Sequence, residues 1–208
     1  MPKLLHIAGS PRADSVSNAA ARAFIERFCE ARSAWEIDVL DLWREGLPEV
    51  DQALLDAKDA VQRGLPFSDS QAQAWAVVER MAVRFSLAER VLISTPMWNF
   101  GLPYKLKHYI DLINQPRLTF RFDPWSGYVG LLKDRPTVAI VASSGDFVTG
   151  MNRGRIDMAT PYLREALRFM GVLSLEIVRI GPTAGPPDAV RAASQNAITR
   201  LRRIAASF

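Results

Sequence analysis

Hydrophobic and polar positions along this chain switch repeatedly between a two-residue and a 3.6-residue period. Leu4 to Ala8 is a short apolar run that stops at Gly9-Ser10-Pro11, the pattern of a buried strand running into a loop. From Ser17 to about Ala31, Ala20, Phe24, Ile25 and Phe28 recur at helical spacing. Glu36 to Leu40 alternates as a second strand, and residues 47–70, with Pro48, Gly64 and Pro66, form an excursion with one helix. The spacing predicts a helix over Gln71–Leu87, a third strand at Val91–Ser94 and a helix over Pro103–Ile113. It then predicts a fourth strand at Thr137–Ala142, a helix over Ile156–Met170, a fifth strand at Leu173–Ile180 and a closing helix over Asp188–Ala206.

Strands separated by helices of this length imply right-handed crossovers and a parallel sheet covered on both faces. Five strands suit an α/β, doubly wound, flavodoxin-like sheet of order 2-1-3-4-5, with its ligand crevice at the carboxyl ends of strands 1 and 3. No internal repeat, low-complexity tract or linker interrupts the pattern, so residues 1–208 are expected to form a single domain.

Composition narrows the class. Hydrophobic residues make up 49% and charged residues 23%, as in a water-soluble globule, and no apolar run reaches the length of a membrane span. The amino-terminal stretch reaches Gly-Ser-Pro too soon for a signal peptide. Cys29 is the single cysteine, which excludes an internal disulfide and fits a cytoplasmic address. It lies in a helical pattern and reads as a small buried filler. The net charge of +4 comes from arginines scattered through most helices, so nucleic acid is not an expected partner. A mildly positive field does favour phosphate-bearing ligands.

The topology directs attention to three loops. After strand 1, Ser10, Ser15, Val16, Ser17 and Asn18 surround a helix amino terminus, with Arg12 between. Unpaired first-turn N–H groups and several hydroxyls make an anion site, and one cap needs only one serine. The loop matches neither the dinucleotide fingerprint nor the P-loop, which leaves a mononucleotide phosphate. After strand 3 comes Pro96-Met97-Trp98-Asn99-Phe100-Gly101-Leu102-Pro103. Its prolines restrict the loop, and Gly101 permits a backbone that other residues resist, so the segment can present N–H groups and aromatic edges to a flat ring. After strand 4, Ser143-Ser144-Gly145-Asp146-Phe147 is a polar turn at the same sheet edge. His6, within strand 1, reads as a satisfied core residue, and His108 lies mid-helix behind the aromatic loop. No His, Cys or carboxylate cluster shows metal-ligand spacing.

These segments, together with Leu106-Lys107-His108-Tyr109-Ile110-Asp111 and Thr119-Phe120-Arg121-Phe122, resemble the FMN-dependent NAD(P)H:quinone oxidoreductases, also called azoreductases. The resemblance runs from strand 1 to the last helix. It implies bound FMN, NADH or NADPH as donor, a homodimer, and two-electron ping-pong reduction of quinones and azo dyes. Carried over by position, Ser10, Ser15, Val16, Ser17 and Asn18 would hold the FMN phosphate. Pro96, Met97, Trp98, Asn99 and Phe100 would lie along the isoalloxazine, with the Asn99 N–H and Trp98 near flavin N5. Ser144, Gly145, Asp146 and Phe147 would border the pyrimidine end. Asp146 and Phe147 stand where family members often carry a glycine pair. An ionised Asp146 would oppose the charge of reduced flavin; the plainer reading is that it points into water or caps the next helix. The rivals are a flavodoxin-type electron carrier, which is typically acidic where this chain is basic, and an FMN or chromate-type reductase on the same fold.

Overall fold

The computed structural model describes residues 1–149, 152 and 154–208. In chain order the elements are β1 (Lys3–Ala8), α1 (Val16–Ala31), β2 (Glu36–Asp41), α2 (Gln52–Arg63), α3 (Asp69–Ser86), β3 (Arg90–Pro96) and α4 (Tyr104–Ile113). These are followed by β4 (Phe120–Asp123), β5 (Gly127–Gly130), β6 (Thr137–Ala142), α5 (Ala159–Met170), β7 (Leu175–Ile180) and α6 (Pro187–Ser207). The central sheet is parallel in the order β2-β1-β3-β6-β7, the expected 2-1-3-4-5 winding of a flavodoxin-like fold.

Because side chains alternate across a strand, β1 serves two cores. Leu5 and Ile7 join Val91 and Ile93 beneath α3, α4 and α5, where Phe85, Tyr109, Leu163 and Met170 fill the layer. Leu4 joins Leu92 and Ile140 beneath α1 and α6, against Phe24, Phe28, Leu201 and Phe208. β6, TVAIVA, is buried at every position because helices cover both of its faces.

Several boundaries differ from the hydrophobic pattern, each for a local reason. The 47–70 excursion contains α2 complete, capped by the Asp51 carboxylate on the Leu54 N–H and ended by Gly64 at φ 68°. α3 starts two residues before the first periodic position because Ser68 and Gln71 form a reciprocal capping box. α5 begins at Ala159 because Asp157 accepts from the N–H groups of Ala159 and Thr160, which leaves Ile156 in solvent. The antiparallel hairpin β4–β5 is an addition to the sequence reading. Its base is fixed by contact, since a Cβ on Gly130 would lie 2.4 Å from the Gly171 nitrogen. Cys29 is half-buried rather than a core filler.

Candidate functional site

β1, β3 and β6 end together, and their loops enclose a cavity of about 370 Å³. Ser10, Ser15, Val16, Ser17, Pro96, Met97, Trp98 and Ser144 line it, as do Arg12, Asp14 and Thr183. Thus all three loops singled out in the sequence contribute to one concavity at the topological switch point.

The first wall is the amino terminus of α1. Ser15 is the N-cap, its hydroxyl accepting from the Asn18 N–H, and the first turn carries no acidic residue. The Ser15 and Ser17 hydroxyls stand 3.3 Å apart. Among the described residues the N–H groups of Val16 and Ser17 have no acceptor. This donor set suits a phosphate monoester, whose oxygens only accept. Asn18 plays a different part from the one its position suggested. Both ends of its amide are committed inside the protein, Nδ2 donating to the Arg12 carbonyl at 2.8 Å and Oδ1 accepting from Ser94 Oγ at 3.3 Å. It shapes the loop from beneath.

The second wall follows β3. Trp98 and Gly101 pair through two backbone hydrogen bonds of 2.9 and 3.0 Å around Asn99 and Phe100. The left-handed residues are Asn99 at φ 48° and Phe100 at φ 71°, not Gly101. Asparagine tolerates that region; phenylalanine there costs about 1–2 kcal/mol, a strain that persists where surroundings and function hold it. The Phe100 carbonyl is anchored by the Met158 N–H at 2.9 Å. Among the described residues the Asn99 and Phe100 N–H groups have no acceptor, so the turn tip offers two free donors beside the cavity.

The third wall is weaker. Ser144 lines the cavity, while the Ser143 hydroxyl turns back onto the Gly145 carbonyl and Phe147 is buried against Gly145. Asp146 lies elsewhere. Its carboxylate accepts from the N–H groups of Val148 and Thr149 and from the Thr149 hydroxyl, which hold it below the usual carboxylate range. It lines a separate cavity of about 310 Å³ with Arg179 and Arg200.

Sequence reasoning missed Trp43 and Thr183. Trp43 donates its indole N–H to the Gly9 carbonyl at 3.1 Å, and its ring lies 5.6 Å from that of Trp98, so it ties the first wall to the second. A tryptophan just past an edge strand was the available signal. Thr183 arrives with the loop after β7, and its N–H bonds to the Ser143 carbonyl. His108 does not line the cavity, and its Nε2 is buried without a partner among the described residues.

His6 is buried as expected, and burial pushes its pKa down to about 4 against a small opposing pull from Asp41. The native state therefore holds it neutral while the unfolded chain takes up a proton near pH 6.5. Its stabilising contribution is complete above pH 6.5 and is lost as pH falls toward 4. Between pH 7 and 5 the His6 share of the loss should be about 2 kcal/mol. Urea unfolding of wild type and His6→Phe at both pH values isolates that share; an equal pH dependence in both would refute it.

The flavodoxin-like fold family matches this chain over residues 2–204. FMN-dependent NADH:quinone oxidoreductase 1 of Bradyrhizobium diazoefficiens is 60% identical over 208 residues, covering all of both chains. The FMN-dependent NADH:quinone oxidoreductase of Desulfotalea psychrophila is 40% identical over 184 residues, 88% of this chain and 86% of that one. Among solved structures, azoreductase from Bacillus anthracis strain Sterne superposes with a TM-score of 0.90 at 27% identity, over 100% of each chain. An FMN-dependent NADH-azoreductase from Bacillus anthracis strain Ames Ancestor, in complex with FMN, gives 0.84 at 27% identity over 99% of this chain and 100% of that one. With the hydroxyl-lined helix terminus, the strained aromatic turn and the winding order all in place, this chain belongs to the flavodoxin-like family of FMN-dependent NADH:quinone oxidoreductases.

Proposed function

We propose that this protein binds FMN in the cavity between the three loops and transfers two electrons from NADH or NADPH to quinones and azo compounds in a ping-pong cycle. One observation carries the reading: a single cavity joins a hydroxyl-rich helix terminus, whose first turn holds no acidic residue, to the start of an aromatic turn at Met97 and Trp98. Bound FMN supplies the two-electron chemistry. Ser10, Ser15 and Ser17 supply donors to the phosphate, and Met97 and Trp98 form the flat wall along the ring. The strained turn holds the Asn99 N–H free and fixed, so it would meet the ring with little reorganisation.

A second copy of the chain completes the substrate pocket in this reading. Phe122, Trp125 and Tyr128 of the hairpin and Phe100 and Tyr104 beside the cavity are all exposed, more aromatic surface than a monomer usually leaves in water. No described helix is long and apolar enough to cross a membrane, and we place the protein in the cytoplasm on its cysteine usage.

The purified protein should be yellow and bleach anaerobically with NADH, with parallel double-reciprocal plots against a quinone. A colourless protein that takes up no FMN would overturn the reading, and build-up of a one-electron form would favour the electron carrier.

Asp146, half-buried and hydrogen-bonded within its own turn, lies apart from the ring in this reading. Asp146→Asn should move the FMN midpoint potential by less than about 10 mV, because a screened carboxylate in another cavity acts weakly on the ring. Spectroelectrochemical titration checks this. A rise of about 30 mV, equivalent to about 1.4 kcal/mol for two electrons, would instead put the carboxylate against the flavin.

A further inference from the structure

The sheet face beneath α1 is apolar at Leu4, Leu92 and Ile140, yet β1 and β3 each interrupt it with one polar side chain. These are His6 and Ser94, 7% and 0% exposed. A polar group in such a layer is costly unless hydrogen-bonded, so its partners define its purpose. His6 Nε2 lies 2.9 Å from Ser94 Oγ, and Ser94 Oγ lies 3.3 Å from Asn18 Oδ1. Asn18 Nδ2 then donates to the Arg12 carbonyl at 2.8 Å. Elimination gives the donor directions. Asn18 Oδ1 has no proton, so the Ser94 hydroxyl donates to it, and His6 Nε2–H donates to Ser94. A neutral His6 with its proton on Nε2 meets that demand.

The far end of this chain of bonds is the loop before α1. The Arg12 carbonyl also accepts from the Ser15 N–H at 3.2 Å, and the Asn18 N–H donates to Ser15 Oγ at 3.2 Å. One carbonyl and one hydroxyl of the loop are thus both held by Asn18, which is itself held from the sheet.

We infer that His6, Ser94 and Asn18 form a hydrogen-bond relay, rooted in the buried sheet at His6 and Ser94, that sets the shape of the 10–15 loop for a phosphate monoester, and so sets the preference for FMN over unphosphorylated flavin. The inference rests on the proposed reading of this cavity as the FMN site. The three are positioning residues, acting through the Arg12 carbonyl and the Ser15 hydroxyl. The ring is held by a different wall, at Pro96, Met97 and Trp98. Loss of the relay therefore withdraws preorganisation from the phosphate end alone.

The test compares FMN with riboflavin, which shares the ring and lacks the phosphate, by flavin-fluorescence titration of flavin-free protein. Ser94→Ala and Asn18→Ala should each weaken FMN about tenfold and leave riboflavin within about twofold. His6→Leu combined with Asn18→Ala should be no worse than the weaker-binding single variant, because both cut one relay. Equal losses for both flavins, or losses that multiply in the double variant, would overturn the relay. If Ser94→Ala does not fold, Asn18→Ala at the helix terminus gives the same reading. A wild type that binds riboflavin as well as FMN would overturn the phosphate-site reading itself. A wild type with strong FMN preference, kept by every variant, would overturn the relay alone.

Discussion

Replacing Ser15 and Ser17 together by alanine should weaken FMN binding by roughly a hundredfold or more, while the fold survives. The two hydroxyls stand 3.3 Å apart at the mouth of the α1 terminus and line one cavity. A hydrogen bond to a charged group contributes about 1.5–3 kcal/mol, so losing two removes about 3–6 kcal/mol. Ser15 has a second role as N-cap, donating no proton there but accepting the Asn18 N–H, and its loss costs about 1 kcal/mol of helix stability with or without ligand. The two roles separate experimentally. Titration calorimetry reads the affinity, and thermal unfolding of flavin-free protein reads the cap. Unchanged affinity with a lowered melting temperature would reduce the serines to capping residues.

The second large effect lies at the opposite edge of the sheet. Arg135 is 6% exposed, and its Nη1 donates to the carbonyls of Phe85, Ser86 and Ala88 at 2.8–2.9 Å, while Nε donates to the Lys133 carbonyl. One guanidinium therefore bonds the last two carbonyls of α3 and the Ala88 carbonyl just beyond it, and ties that helix end to the start of β6. Arg135→Met keeps the apolar stem and strands the Ser86 and Ala88 carbonyls, while the Phe85 carbonyl keeps the Ala88 N–H. Each stranded group costs about 1–3 kcal/mol, so the protein should lose about 4 kcal/mol. For a chain of this size that lowers the melting temperature by roughly 8–16 °C. Arg135→Lys should recover less than half, because one ammonium cannot reproduce a planar fork. FMN affinity should not change. A melting temperature within about 2 °C of wild type for Arg135→Met would show that water replaces the arginine.

Much of this protein was legible from local pattern alone. The apolar runs Leu4–Ala8 and Thr137–Ala142, the alternation in Glu36–Leu40 and the helical spacing around Phe24 and Phe28 depend on residues near in sequence, and they suited the doubly wound order that the sheet adopts, β2-β1-β3-β6-β7. The serine-rich loop and the Pro96–Pro103 segment stood out because hydroxyls, prolines and aromatics clustered where an ordinary loop needs few of them.

What stayed hidden depends on partners distant in the chain. The short strands β4 and β5 have four residues each and are held by the Gly130–Gly171 contact, which no local period encodes. Asn18 reads as a ligand-facing residue until Ser94, 76 positions away, is seen to hold its other end. Trp43 and Thr183 join the site from β2 and β7 only because the sheet winds those strands alongside β1 and β6. Gly101 carried the expectation of a left-handed backbone, but the two hydrogen bonds between Trp98 and Gly101 place it on Asn99 and Phe100. Local preference sufficed to set which segments become strands, helices and reactive loops, because those preferences are satisfied within a few residues. Packing across the sheet settled which side chain faces the cavity and which braces it from behind, because a hydrogen bond between strands and helices is set by register and contact rather than by spacing along the chain.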